Sequence, residues 1–122
     1  MRYLSLLVLL AACTDQGPFV PAGAIPWNPP SALVDSLWAA TETCSGLEGD
    51  SRPIQWYIVP VARFDTPLGE AMGMWDGDRS IYLAEPNYPT HQPWPFVVQH
   101  EMLHALLHSG AHPAVFDTCH LR

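Results

Sequence analysis

The run "PFVVQHEMLHALLHSG", residues 95–110, limits the fold more than any other part of the chain. Nothing breaks it between Pro95, suited to a first helical position, and Gly110, suited to the residue that follows a helix. It therefore predicts a helix over 95–109 with Gly110 as its left-handed terminator. Apolar residues stand on every side of that helix: Phe96, Val97, Val98, Met102, Leu103, Ala105, Leu106 and Leu107. A helix of that kind is buried. His100, Glu101 and His104 within it would cost several kcal/mol of desolvation unless something satisfies them. His100 and His104 lie four residues apart, on one face and separated by about 6 Å of rise, which lets two imidazoles converge on one ion. Glu101 stands beside them, about 100° round the helix.

The rest of the chain must cover this helix. With 122 residues, 48% of them hydrophobic, one domain with a genuine core is expected. A formal charge of −7 and the lack of lysine exclude nucleic acid as a partner and argue against electrostatic adhesion to anionic lipid. Residues 31–46 predict a helix with Ser31 as N-cap, apolar positions Leu33, Val34, Leu37, Trp38, Thr41 and Cys44, and Gly46 at its end. Residues 53–61, rich in β-branched and aromatic side chains, predict a strand broken by Pro60. Residues 73–84 predict a hairpin turning at Asp76 and Gly77, with Ile81 to Leu83 on the returning strand. Residues 85–95 predict a loop. The fold class is α+β, a small sheet with a hairpin packed against an N-terminal helix and the histidine-bearing helix.

Membrane contact is expected from the N-terminus. "MRYLSLLVLLAAC" has one positive residue, Arg2, an apolar run and then small residues, which is the pattern of a secretory signal too short to stay as a spanning helix. Leu10, Ala11, Ala12 and Cys13 resemble the bacterial lipobox. That resemblance implies a signal peptide over 1–12, lipidation of Cys13, and a cell-envelope protein anchored by lipid. With Thr14 rather than aspartate after the cysteine, the outer membrane facing the periplasm is the expected location. Residues 13–30, rich in proline and glycine, read as a tether, leaving 31–122 as the domain. Cys44 and Cys119 then remain in an oxidising compartment and predict a disulfide worth about 2–4 kcal/mol; the competing reading is two free buried thiols.

His100, Glu101, Met102, Leu103 and His104 together resemble the HExxH signature of the zincin metallopeptidases. The resemblance implies a minimal zincin-like domain, a Zn2+ cofactor held by His100 and His104, and Glu101 as general base on a zinc-bound water, acting on a peptide or protein substrate. It also implies an edge strand beside the helix, expected at residues 79–83, that aligns an extended peptide by main-chain pairing. The chain departs from the named subfamilies. No glutamate follows Glu101, as a gluzincin would require. Leu107 and Gly110 stand where a metzincin has its glycine and third ligand, and no methionine follows His104 to make a Met-turn.

The third ligand is therefore read from geometry. His108 continues the four-residue spacing, yet on a continuous helix it lies about 12 Å of rise beyond His100 and about 80° round from it. A turn at Gly110 would bring His112 back toward the helix face, with Pro113 stiffening the return, so His112 is the expected third ligand. His108, Asp117 and His120 are its rivals. His91 in the loop reads as solvated, and packing accounts for Tyr82 and Tyr88. The alternative function is a noncatalytic envelope lipoprotein that binds metal through the same histidines. Glu101 discriminates the two, because a storage site has no use for a carboxylate placed as a base.

Overall fold

The computed structural model describes residues 19–122. The expectations for the signal peptide and for Cys13 lie outside the described residues. In chain order the elements are β1 (Ile25–Trp27), α1 (Ser31–Ser45), β2 (Gln55–Val59), β3 (Phe64–Thr66), β4 (Gly69–Ala71), β5 (Gly73–Trp75), β6 (Ser80–Ala84), α2 (Pro95–Leu107) and α3 (Val115–Thr118). The domain is α+β, as expected.

A four-stranded sheet runs in the order β1-β2-β6-β5, with β2 and β6 parallel and both flanking pairs antiparallel. Side chains alternate cleanly across it. Trp56, Ile58, Ile81 and Leu83 face α1 and α2, where they join Trp27, Trp38, Val97, Val98, Met102 and Leu106 in the main core. Val59, Tyr82 and Ala84 point the other way and pack with Phe64. Both faces of the two central strands are therefore covered, which is why "WYIV" and "IYLA" read as continuous apolar runs. α2 is covered on its far side as well: Leu103 packs with Phe116 and Leu121 from the C-terminal tail. Sheet on one flank and tail on the other explain a helix that is apolar nearly all round. The Cys44–Cys119 disulfide forms, with Cα atoms 5.3 Å apart, and ties α3 to the last turn of α1.

Several expectations are corrected. Residues 25–27 of the expected tether are a sheet strand: β1 pairs with β2, and Trp27 is buried edge-on against Trp56, with ring centroids 6.1 Å apart. Pro26 fits there because β1 is an edge strand, where a missing N–H is tolerated. Ser31 is the first helical residue of α1 rather than its cap, since Pro30 holds the N-cap position and no side chain caps it. Gly46 ends α1 as expected, in the left-handed conformation at φ 72°. α2 stops at Leu107, and its left-handed residue is His108 (φ 50°), not Gly110. His108 tolerates this conformation better than a bulky apolar residue would. The early exit lets the next carbonyl, that of Ser109, reach back over His104. Residues 79–83 belong mostly to β6, which is paired on both sides; the free edge beside α2 is β5. The β3–β4 hairpin, which the sequence did not suggest, turns at Pro67 and Leu68, with the Thr66 hydroxyl donating to the Gly69 carbonyl at 2.7 Å.

Candidate metal centre and cleft

α2 presents His100 and His104 on one face, and the loop after it returns His112 to the same point. Their ring centroids are 4.8–5.1 Å apart pairwise. The Nε2 atoms of His104 and His112 each lie 3.2 Å from His100 Nε2. One nitrogen from each residue can be chosen so that all lie within 4.8 Å of one another. Three histidines thus form a group that could hold a metal ion. Imidazole nitrogens bound at about 2.0–2.1 Å around a tetrahedral ion stand about 3.3–3.4 Å apart, close to the 3.2 Å that separates His100 Nε2 from each of the other two.

The proton inventory supports the same reading. His100 Nδ1 hydrogen-bonds to the Leu121 carbonyl, and His104 Nδ1 to the Ser109 carbonyl at 2.8 Å. A carbonyl only accepts, so each Nδ1 carries the proton and each Nε2 of the neutral ring carries a lone pair. Burial holds His100 below its ordinary pKa, against the Leu121 carbonyl that favours the protonated form and with the nearby His112. Burial likewise pushes His104 down to about 4, opposed by Ser109 and assisted by His100 and His112. Two neutral rings therefore face one another through lone pairs at 3.2 Å, with no proton between them. A cation at the point of convergence would satisfy both, so the donor set fits a metal ion.

Glu101 is on the next side of α2, only 5% exposed, against the edge strand β5. Burial raises its carboxyl to about 8, while a hydrogen bond from the Trp75 backbone works in the opposite direction. Gly73 makes this approach possible. A Cβ at that position would lie 2.8 Å from Glu101 Oε1, 2.9 Å from its Cγ and 2.8 Å from Val97 Cγ1. Any side chain at 73 would force the carboxylate or the helix to move.

The β5 pairing leaves one row of backbone groups outside the sheet's own hydrogen bonding, of which the Trp75 N–H is taken by Glu101. The Met72 carbonyl accepts from Ala84 N–H, and Asp76 N–H donates to the Ser80 carbonyl, on either side of the Met74–Tyr82 pair. By antiparallel alternation, the N–H and C=O groups of Gly73 and Trp75 point to the open edge. A cleft of about 260 Å³ lies along this edge, between the β3–β4 hairpin and the histidine group; Leu68, Glu70, Met74 and Trp75 line it with the three histidines and Glu101. A second recess continues past Gly73, His100 and Glu101 to Met72, Phe96, Val97 and Arg122.

The rivals for the third ligand lie elsewhere. His108 is exposed and lines a separate recess with Trp38, Asp78 and Arg79. Asp117 is engaged by the Arg122 guanidinium at 2.6 and 3.0 Å. His120 is exposed, as is His91, which sits 3.3 Å from the Thr90 hydroxyl. Tyr82 stacks on Tyr57 on the sheet face away from α2, and Tyr88 packs against the main core.

Gly73, Trp75 and Phe116 were missed as contributors to the site. An isolated glycine in a predicted strand is a general signal of close backbone approach, and could have flagged Gly73. Comparison of the chain with protein-family models, with curated proteins and with solved structures finds no match.

Proposed function

We propose that this domain is a zinc-dependent metallopeptidase. The observation that carries the reading is the pairing of three convergent imidazole Nε2 atoms with a buried carboxylate in one open-edged cleft. Zinc fits an all-imidazole set, and when bound it supplies the Lewis acidity that activates water and polarises a carbonyl. Glu101 takes the proton from the attacking water and delivers it to the leaving amine. A cation nearby favours its carboxylate form, offsetting the burial that raises its pKa. The outward backbone of Gly73 and the Trp75 carbonyl pair with an extended polypeptide, holding the scissile bond beside Glu101. A metal store would gain nothing from a buried carboxylate pinned against a strand edge, which weighs against the noncatalytic alternative.

The test is metal analysis of the purified protein combined with cleavage of a broad peptide library. One zinc per chain and cleavage that chelation abolishes and zinc restores would support the assignment; a fully zinc-loaded protein with no hydrolytic activity would leave the metal-binding reading in its place. The envelope location is part of the proposal and rests on Cys13. Cys13→Ser should abolish incorporation of labelled fatty acid, and continued labelling would refute the anchor.

A further inference from the structure

The three histidines share a neighbour that is not a ligand. Phe116 is fully buried, and its ring centroid lies 5.0 Å from that of His100, 4.8 Å from His104 and 4.9 Å from His112. The same short segment touches the triad twice more. Its Leu121 carbonyl holds His100 Nδ1, and its Arg122 guanidinium, itself clamped by Asp117, donates to the His112 carbonyl at 3.1 Å. The segment is docked by the packing of Phe116 and Leu121 on Leu103 and by the Cys44–Cys119 bridge.

We infer that Phe116 is a positioning residue for the metal ligands, the floor on which all three imidazoles rest, and that the Cys44–Cys119 bridge keeps this floor in place. The inference rests on the metal-site reading and is independent of peptidase activity. Its physical basis is entropy and exclusion. A histidine side chain free to rotate must be ordered when the ion binds, and that cost weakens affinity. An aromatic ring in contact with all three blocks their alternative rotamers and keeps water from behind them, so the lone pairs point one way before any ion arrives. His112 depends on it most, being exposed and carried by a loop rather than by α2. Outer partners of metal ligands are commonly worth tenfold to a hundredfold in affinity, roughly the scale expected here.

The experiment measures zinc affinity of the full chain, purified with its disulfide intact, by competition with a chromophoric chelator. Phe116→Leu, which keeps an apolar floor, should stay within about threefold of the wild type, while Phe116→Ala should bind zinc about tenfold to a hundredfold more weakly. Cobalt substitution gives a second readout: Phe116→Ala should change the visible absorption of the bound ion, and Phe116→Leu should not. Cys44→Ser with Cys119→Ser should lose about tenfold, and adding Phe116→Ala to that pair should cost little more, because both act through the same segment. Ile58→Ala is the structural control, since it opens the main core on the sheet side, away from Phe116 and the tail segment. It should lower stability with little effect on affinity. If Phe116→Ala does not fold, Phe116→Val reads the same contact and should fall between the other two. Wild-type affinity in Phe116→Ala or Phe116→Val, or an equal loss in Ile58→Ala, would overturn the inference. A wild-type chain that binds no zinc at all would overturn the metal site, and this inference with it.

Discussion

The two flanks of α2 do different work. On the sheet flank, β5 presses against Glu101 through a glycine and a backbone N–H, and the carboxylate is almost sealed from water. On the tail flank, residues 109–122 meet the histidines through backbone carbonyls, an aromatic ring and the returning His112. The sheet flank is held by the central strands, whereas the tail flank is held by a four-residue helix, a small apolar cluster and one disulfide. The carboxylate proposed to handle protons is thus built into the core of the fold, and the histidine group that could hold a metal is finished by a peripheral segment. Damage to one flank should spare the other's chemistry.

The sharpest separation comes from Glu101→Gln. The amide keeps the shape and removes the base, so turnover on any cleaved peptide should fall by about a hundredfold to ten-thousandfold while one zinc per chain is retained. Loss of zinc from this variant would merge the two flanks into one site and break the contrast.

Next in size is the tail. His112→Ala should weaken zinc binding by about a hundredfold or more, beyond what loss of an outer partner costs, whereas His108→Ala should change it by less than about threefold. Competition with a chelating dye measures both. The reverse ranking would mean that His108 turns inward and that the tail does not complete the metal centre.

Gly73→Ala probes the sheet flank without replacing a titratable group. Its new Cβ would stand 2.8 Å from Glu101 Oε1 and from Val97 Cγ1, so the carboxylate must shift. Turnover should drop about tenfold or more, since small misplacements of a reacting group are costly, and zinc affinity should hold. The effect should shrink when Glu101 is already glutamine. Full additivity of the two substitutions would show that Gly73 does not act through Glu101.

What the sequence revealed follows the same division. His100, Glu101 and His104 were legible because a helix puts nearby residues on adjoining faces by rule, and the unbroken run between Pro95 and Gly110 identified the helix. His112 was legible because a short chain reversal suffices to bring it back, although the turn occurs at His108 rather than Gly110. The edge strand was misplaced for a physical reason. Ile81 and Leu83 drew attention as the stronger strand pattern, but dense apolarity marks a strand covered on both faces, and that is the centre of a sheet. The true edge is the weaker "GMW", whose glycine is there for Glu101. Leu121 could not be foreseen at all, because it serves the site through its carbonyl, which every residue possesses. Phe116 acts on His100 and His104 across more than ten residues, and one apolar residue in a tail does not say which face it will floor.

The smallest expected effect is on stability against pH, and it sets the two flanks in opposition once the metal is removed. Glu101 has its pKa raised from 4.5 to about 8 by burial. The stability it contributes is full below 4.5 and is lost as pH rises through 8. His104 has its pKa lowered from 6.5 to about 4, also by burial, so its contribution is present above 6.5 and is lost as pH falls through 4. Between 4.5 and 6.5 the two oppose one another. Between 6.5 and 8 Glu101 acts with no counterweight from His104, so the melting midpoint of the chelated protein should decline by a few degrees across that window. Glu101→Gln should flatten the decline, and saturating zinc should reverse it, because the ion favours both the ionised carboxylate and the neutral imidazoles. Thermal unfolding of the chelated wild type and of Glu101→Gln at matched ionic strength reads this directly. An equal slope in the two proteins above pH 6.5 would show that the sheet flank does not bury Glu101 as described.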